Sequence, residues 1–308
     1  MNSPPNPQSS IGNRQSSIGN RQSAIGNRQS AIANRQSAVE NIEIDLLLEA
    51  VHQRYGYDFR AYARASVERR VRQFLSNCGC VTVSDLTGRM LRDEELFSRL
   101  VQYFSVPVTE MFRDPFVFKA LRSHVVPLLR TWPHLRIWCA GCATGEEVYS
   151  LAILLREEGL GDRITIYATD FNDANLERAR QGVYAADRIQ QATENYQRAG
   201  GQSSFSEYYH ARYDAAAMDG FLKQRITFAN HNLVTDKMFA EMHLVVCRNV
   251  LIYFNRDLQN RALKLFSESL VRRGFLCLGT KESLQFTDVC GLYETIDQKA
   301  KLYRKALI

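Results

Sequence analysis

A loop of small residues followed by two glutamates has the residue types that hold a small polar ligand. Residues 139–147 are Cys-Ala-Gly-Cys-Ala-Thr-Gly-Glu-Glu, a pattern that predicts a strand, a tight loop and the start of a helix. Gly141 and Gly145 let the backbone turn tightly and approach a ligand. Glu146 and Glu147 suit the helix dipole but would repel a pyrophosphate, and the G-x-G-x-x-G phosphate fingerprint is absent. A ligand with hydroxyls and a positive charge therefore fits better than a dinucleotide. The alternative is an ordinary strand-to-helix turn.

Asp170 stands at the end of the next predicted strand, 25 residues after Gly145. An acidic residue at this position can accept both hydroxyls of a ribose, at the edge where open α/β sheets bind ligands. The alternative is that Asp170 caps the helix that follows. Taken together, the glycine loop and Asp170 favour a nucleoside without a diphosphate, which indicates S-adenosylmethionine.

Two further motifs combine polar and apolar residues. Residues 247–254, Cys-Arg-Asn-Val-Leu-Ile-Tyr-Phe, directly follow the fourth predicted strand. The Arg248-Asn249 pair is unusual in so apolar a run, because buried polar groups require partners. A ligand site and an interior ion pair or core asparagine are both open interpretations. Residues 109–115, Thr-Glu-Met-Phe-Arg-Asp-Pro, are by themselves only a polar turn with one aromatic residue.

The elements that would position these motifs change character near residue 105. From Ile42 to about Phe104 the apolar residues recur at helical spacing, which predicts a helical domain of about 65 residues. Strands and helices then alternate, which indicates an α/β domain on a mostly parallel sheet. The last two strands are too close for a crossover helix and should pair antiparallel. The predicted strands are 136–140, 164–169, 226–228, 244–247, 275–278, 293–296 and 302–304. The predicted helices are 146–158, 172–181 and 257–273, the last ending at Gly274 as a C′ glycine.

Composition and charge limit the classes of protein to which the chain could belong. Its 308 residues, 45% hydrophobic and 23% charged, are typical of a soluble globular protein with about two domains. Residues 1–39 hold four arginines and no acid, and removing these four charges from +6 leaves +2 for residues 40–308. Global charge is thus a weak argument for nucleic acid. No apolar run reaches the ~18 residues of a membrane helix, and no secretory leader is evident. The seven scattered cysteines lack zinc spacing, so no metal site is expected.

Residues 9–36 repeat with a period of seven, beginning Ser-Ser-Ile-Gly-Asn-Arg-Gln. Each copy has one strongly apolar residue, which cannot form the two-position seam of a coiled coil. Serine, glycine, asparagine and glutamine favour disorder. We therefore predict that residues 1–39 are disordered and dispensable for activity.

In this order, the motifs resemble those of the CheR-type chemotaxis receptor methyltransferases, which methylate glutamate side chains of chemoreceptors. The resemblance covers residues 40–306 and rests on T-x-x-F-R-D, A-T-G-E-E-x-Y-S, a strand ending T-D, H-N-L and C-R-N-V-L-I-Y-F. It implies a small helical N-terminal domain at residues 40–105 and a Rossmann-like class I methyltransferase domain at residues 106–308. The second domain would have a mostly parallel sheet with an antiparallel last strand, and a small β-subdomain insertion near residues 205–228.

The resemblance also implies roles for the matching residues. Asp170 would bind the ribose, and Asn232 and Leu233 would lie beside the adenine. Arg113 and Tyr253 would act in catalysis, with no metal. Arg113 would hold the incoming carboxylate, and Tyr253 would orient it or pack beside the sulfonium; orientation is favoured for both. Pro107 departs from the pattern, because it stands where some members have asparagine and offers only its carbonyl. The implied cofactor-binding set is Thr109, Arg113, Glu147, Asp170, Asn232, Leu233, Arg248 and Asn249.

A basic helix is implied as the substrate-docking surface. Opposite charges would steer acidic methylation helices of receptors toward it, and a merely solvated face is the alternative. The segment from Tyr208 to Phe228, which matches a peptide-binding subdomain in some members, is short. We therefore expect no dependence on a receptor-tail pentapeptide. The implied docking residues are Arg60, Arg64, Arg69, Arg70 and Arg72.

The expected reaction transfers a methyl group from S-adenosylmethionine to glutamate carboxylates, giving methyl esters and S-adenosylhomocysteine. A glutamate with an ordinary pKa near 4.3 is ionised at pH 7 and needs no general base. The expected location is cytoplasmic, without direct membrane insertion and without a nucleic-acid partner. The alternatives are a class I methyltransferase acting on RNA or a small molecule, and a non-catalytic module that binds the cofactor as a sensor.

Overall fold

The computed structural model describes residues 36–105 and 109–307, which form two compact units. The smaller unit comprises the described residues up to Arg60 together with Val71–Asp93, and the larger unit comprises Ala61–Arg70 together with the chain from Glu94 onward. Pro107 and most of the heptapeptide repeat lie outside the described residues. Residues 36–39, which the sequence assigned to the disordered segment, belong to the first helix.

The described part of residues 36–105 contains helices and no strand, as the helical spacing predicts. Thr82 begins one of these helices with a capping box, since its side chain accepts the amide of Asp85, and Asp85 accepts the amide of Thr82 in return. Over the described chain, no helix is long and apolar enough to cross a bilayer. The helices are α1 (residues 36–55), α2 (Arg64–Cys78), α3 (Val83–Met90), α4 (Glu94–Phe104), α5 (Pro115–Ala120), α6 (Val126–Leu129), α7 (Glu146–Glu157), α8 (Asp173–Gln181), α9 (Ile189–Arg198), α10 (Gly220–Lys223) and α11 (Arg256–Ser269).

In the described part of the larger unit, ten strands form two sheets. They are β1 (Leu135–Ala140), β2 (Ile164–Asp170), β3 (Val183–Ala185), β4 (Tyr209–Arg212), β5 (Ala215–Met218), β6 (Ile226–Asn230), β7 (Met242–Cys247), β8 (Leu270–Leu278), β9 (Tyr293–Asp297) and β10 (Leu302–Lys305). Seven of them form a sheet in the order β6-β2-β1-β7-β8-β10-β9. The other three form an antiparallel sheet in the order β3-β5-β4, the small β-subdomain. Its expected bounds near residues 205–228 are wrong, because its first strand begins at Val183 and residues 226–228 pair with β2 in the larger sheet.

The seven-stranded sheet confirms the predicted fold class. Strands β6, β2, β1, β7 and β8 are parallel, and β10 runs antiparallel to both β8 and β9. β1 and β7 are buried at nearly every residue, which is typical of central parallel strands covered on both faces. Because β2, β1 and β7 are parallel neighbours, the loops that follow them meet at one edge of the sheet.

The predicted helix over residues 257–273 is too long. α11 ends at Ser269, and the next nine residues form β8. Leu270 pairs with Met242 of β7, and the strand is interrupted near Arg273, whose φ is +64°. Apolar residues at 270 and 271 suit a helix as well as a strand, so pairing with β7 decides the outcome. Gly274 therefore lies inside a strand and is not a helix cap.

Candidate active site

The loops after β1, β2 and β7 open into one cleft of about 960 Å³, including its space open to solvent. Every residue that the resemblance assigned to the cofactor lines this cleft, together with Tyr253. The structure thus brings together Thr109, Arg113, Glu147, Asp170, Asn232, Leu233, Arg248, Asn249 and Tyr253.

Gly141 turns the chain out of β1 in a conformation that suits glycine. Its φ is +74°, and an added Cβ would lie 2.5 Å from Cγ2 of Val250 in the loop after β7. The amides of Gly141 and Cys142 both donate to the carbonyl of Thr169, at 2.8 and 2.9 Å. The loop after β1 is therefore bonded to β2 through backbone and packs against the side chain of Val250, which leaves no room for a side chain at residue 141.

We expect Gly141→Ala to lower the free energy of unfolding by about 2–4 kcal/mol, from overpacking against Val250 and from left-handed strain. The double variant Gly141→Ala/Val250→Ala should lose less free energy of unfolding than the two single variants lose together. The smaller residue at 250 removes the clash, although the left-handed strain at residue 141 remains. Urea unfolding of the four proteins of this cycle measures the coupling. Additive losses would contradict the proposed contact.

The two glutamates at the start of α7 have different environments. Glu146 is buried, its Oε2 accepts the hydroxyl of Thr144 at 2.7 Å, and burial raises its pKa. Glu147 lines the cleft and forms an ion pair with Arg248. Only the second glutamate of the pair, the one that the resemblance selected, is thus placed to meet a ligand.

Asp170 is buried at the cleft edge between two loops. Its Oδ2 accepts the amide of Ala143 and its Oδ1 accepts the amide of Asn172, both at 2.9 Å. The cap of α8 is Asn172, whose Oδ1 accepts the amide of Ala174 at 3.0 Å, so the capping alternative for Asp170 is wrong. Burial raises the pKa of Asp170, against the opposing effect of these hydrogen bonds. A carboxylate has about four acceptor sites, so Asp170 keeps capacity for ligand hydroxyls.

Arg248 is the centre of an interior ion pair in the cleft wall. Its side chain is 2% exposed; Nη1 donates to Glu147, and Nη2 donates to Oδ2 of Asp114 at 2.7 Å and to the carbonyl of Arg113 at 3.1 Å. Its Nε is buried without a partner among the described residues. The sequence left open an ion pair or a ligand site, and the structure places an ion pair in the lining of a cleft. The unpartnered Nε suits a polar ligand at this wall.

The loop that carries Arg113 is held in a strained conformation. Phe112 and Asp114, on either side of it, have φ values of +51° and +56°. The amide of Phe112 donates to the hydroxyl of Ser150 on α7 at 2.8 Å, and its ring packs edge-on against Phe118. Strain of this kind persists only where the surroundings impose it. The half-buried Arg113 side chain is thereby presented to the cleft.

Tyr253 is covered on one ring face by a buried arginine. The guanidinium of Arg70 lies 4.4 Å from the ring centroid of Tyr253, and it donates to the carbonyl of Phe104. Arg70 is 2% exposed, and burial lowers its pKa. The assignment of Arg70 to an exposed docking surface is therefore wrong. Its position explains this, because Val67, Arg70 and Val71 fall on one buried stripe at helical spacing.

The other four arginines of the predicted docking set are exposed. Arg64 pairs with Glu68 at 2.8 Å within α2, while Arg69 follows on the same helix. Exposed pairs of this kind contribute little to stability. The remaining two pair within the smaller unit, as Arg60 with Glu49 and Asp58, and Arg72 with Glu40.

The loop after β6 supplies an apolar wall to the cleft. Leu233 is 7% exposed, and the ring of His231 lies 5.2 Å from Trp138 and 5.3 Å from Phe239. The Oδ1 of Asn232 accepts the amide of Val234 at 2.9 Å, which fixes the loop. A flat ring bound here would meet the apolar carbon of Phe171 and Leu233 and the polar side chain of Asn232.

Among the residues that sequence reasoning did not assign are one that lines the cleft, Tyr62, and two that support its wall, Asp114 and Glu282. Tyr62 lines the cleft and packs against Phe254 at 5.2 Å between ring centroids. Asp114 lay in a motif that sequence reasoning singled out, but nothing there identified it as the partner of Arg248. Glu282 accepts backbone amides from the loop after β7. Its signal was an acid just after an apolar strand, at the same sheet edge as Arg248.

Comparison with known proteins identifies the family of this fold and cleft. The model described as "CheR methyltransferase, SAM binding domain" matches residues 107–299, and "CheR methyltransferase, all-alpha domain" matches residues 42–105. "Putative methyltransferase Cher3" of Pseudomonas putida is 54% identical over 266 residues, which are 86% of this chain and 97% of that protein. "Chemotaxis protein methyltransferase" of Listeria innocua is 31% identical over 237 residues, 76% of this chain and 87% of that protein. These matches confirm the resemblance: the chain belongs to the CheR methyltransferase family and contains its S-adenosylmethionine-binding domain.

Proposed function

We propose that this protein transfers the methyl group of S-adenosylmethionine to glutamate carboxylates of chemoreceptors, forming glutamate methyl esters. The observation that carries the proposal is the state of the two carboxylates that line the cleft. Glu147 is paired with Arg248, and Asp170 accepts two backbone amides. Both carboxylates are thus already engaged, which suits a substrate that arrives ionised better than a hydroxyl that must give its proton to a base. An ionised carboxylate substrate needs no such base.

The residues of the cleft fit the cofactor. Asp170 would accept the ribose hydroxyls, Glu147 would face the amino-acid part, and Asn232 and Leu233 would lie beside the adenine. The buried, unpartnered Nε of Arg248 supports a polar ligand at this wall. When bound, S-adenosylmethionine supplies a methyl group activated by a sulfonium. The protein contributes position and the exclusion of water.

Arg113 and Tyr253 are proposed to orient the substrate. Arg113 would hold the incoming carboxylate with a charge-assisted hydrogen bond. Tyr253 lines the same cleft, with one ring face covered by the guanidinium of Arg70. We assign its hydroxyl to orientation of the carboxylate; contact of its other ring face with the sulfonium is the alternative role.

The test is methyl transfer from labelled S-adenosylmethionine to purified receptor cytoplasmic domains. Release of labelled methanol in base would identify a carboxyl ester. Transfer to RNA or to a small molecule, with none to receptors, would contradict the proposal. Cofactor binding without any transfer would instead establish a non-catalytic sensor. The proposed location is the cytoplasm, where these receptor domains lie.

We also propose that exposed arginines of α2 contact the receptor methylation helices directly, without a receptor-tail tether. Arg69→Glu should weaken receptor methylation several-fold at low salt, through KM for the receptor, because charge complementarity steers encounter. The effect should shrink at high salt, since exposed charges are screened over ~10 Å at 0.1 M. Arg198→Glu, an equal charge reversal at an exposed residue of α9, is the control. If Arg69→Glu methylates receptors at low salt as fast as Arg198→Glu and the parent protein do, α2 is excluded as the docking surface.

A further inference from the structure

A buried carboxylate joins the loop after β7 to the loop after β8. Glu282 is 5% exposed. Its Oε2 accepts the amides of Gly279 at 2.6 Å and of Asn249 at 3.2 Å, and its Oε1 accepts the amide of Ile252 at 3.3 Å. All three donors are backbone amides. The side chain of Glu282 therefore fixes the path of the main chain and does not depend on which side chains its neighbours carry.

The two loops approach as closely as backbone allows. A Cβ added at Gly279 would lie 2.7 Å from the amide nitrogen of Asn249 and 2.7 Å from Oε2 of Glu282. The amide of Glu282 in turn donates to the carbonyl of Gly279 at 2.8 Å. The carboxylate thus sits in a compact turn that only a glycine at residue 279 permits.

The backbone that Glu282 holds has an uncommon conformation and belongs to the cleft wall. Asn249 has a φ of +60°, in the left-handed region that residues with a side chain mostly avoid and that asparagine enters more readily than most. The hydrogen bond from its amide to Glu282 helps to hold this conformation. Glu282 holds this segment at two amides, those of Asn249 and Ile252. Arg248, Asn249 and Tyr253, which lie at or next to these two points, all line the cleft. Loss of the carboxylate would therefore release three cleft residues together.

We propose that Glu282 is a positioning residue for the cofactor cleft: it fixes residues 248–253 through their amides and so sets the affinity for S-adenosylmethionine. It acts without touching the ligand, since it is absent from the described lining of the cleft. Preorganisation of this kind raises affinity because less order has to be imposed on binding. The inference rests on the proposed function only for the identity of the ligand.

The first test is Glu282→Gln, which keeps the shape but turns one amide –NH2 group toward backbone donors. We expect the dissociation constant for S-adenosylhomocysteine, measured by calorimetry, to rise at least tenfold. KM for S-adenosylmethionine should rise more than kcat falls, while the circular dichroism spectrum stays that of the parent. The control is Glu268→Gln on the exposed face of α11, which removes the same charge. Its dissociation constant should stay within twofold of the parent's.

Hydrogen exchange separates positioning from general stability and needs no variant. In the unaltered protein without ligand, the amides of Asn249, Ile252 and Gly279 should exchange at least a hundredfold more slowly than that of the exposed Phe286. Glu282→Gln should speed exchange in residues 248–254 and leave β2 unchanged. Fast exchange of the three amides in the parent, or unchanged affinity in a folded Glu282→Gln protein, would overturn the proposal. If that variant fails to fold, exchange in the parent decides. If the parent protein binds no S-adenosylhomocysteine, the proposed function is contradicted. The exchange rates of the three amides would still test whether Glu282 fixes the loop after β7.

Discussion

Arg248→Met is expected to abolish measurable cofactor binding and to lower the free energy of unfolding by about 3 kcal/mol. Removing one partner of a buried ion pair leaves the other charge without compensation, a loss of roughly 3–5 kcal/mol. The lower end applies here because the side chains of Glu147 and Asp114 are 17% and 30% exposed and keep some hydration. The same change removes the Arg248 bridge between Asp114 and Glu147 of α7, while the hydrogen bond from Phe112 to Ser150 remains. Urea unfolding and calorimetry with S-adenosylhomocysteine measure the two effects.

Two further variants distinguish the geometry of the Arg248 ion pair from its charge alone. Arg248→Lys keeps the charge but offers a point cation in place of a fork, so it should not restore binding fully. Arg64→Met removes an exposed arginine whose pair with Glu68 is 41% and 21% exposed, and should cost under about 1 kcal/mol. If Arg248→Met bound the cofactor as the parent does, the bridge would have no part in the site.

Asp170→Asn is expected to weaken cofactor binding roughly 10- to 100-fold, about 1–3 kcal/mol. The amide –NH2 of the new residue would face the N–H of Ala143 or of Asn172, both of which now donate to the carboxylate. It would also lose acceptors for the ribose hydroxyls. The control is Asp162→Asn, an exposed residue before β2, which should bind as the parent does.

The same residue predicts the pH dependence of binding. Burial raises the pKa of Asp170, so the free protein takes up this proton at a higher pH than an ordinary aspartate would. If the ionised form holds the ribose, affinity is full above the raised pKa and falls as the pH drops through it. Asp170→Asn should lack this step. An unchanged dissociation constant and an unchanged pH profile in the variant would remove Asp170 from the site.

The position of the cleft was predictable because it follows from strands and their order. Apolar runs ending in Gly141, Asp170 and Arg248 marked three strand ends, and parallel neighbours bring such ends to one edge. Only the pairing of β2, β1 and β7 was needed to turn three distant motifs into one site, and the observed order supplies it. The local patterns predicted the strands because their burial on both faces leaves near-continuous apolar sequence.

Other features depend on tertiary contacts that leave no local pattern. The carboxylate of Glu282 bonds to backbone amides, and every residue except proline has one, so no residue type in the sequence identifies its partners. Arg70 was misassigned because its charge was weighed above its spacing, although Val67 and Val71 place it on the buried face of α2. Residues 270 and 271 fit a helix and a strand equally, and only the contact with β7 separates the two.

Helix α2 carries neighbouring residues that face different tasks, and this limits how the enzyme can be re-engineered. Arg69 is exposed on the proposed receptor-binding face, and the next residue, Arg70, covers the ring of Tyr253. A chimera that receives α2 from a relative with another receptor would replace the proposed recognition surface. It would replace at the same time the arginine that packs on Tyr253. Retargeting is therefore best attempted by replacing single exposed arginines while Arg70 is retained.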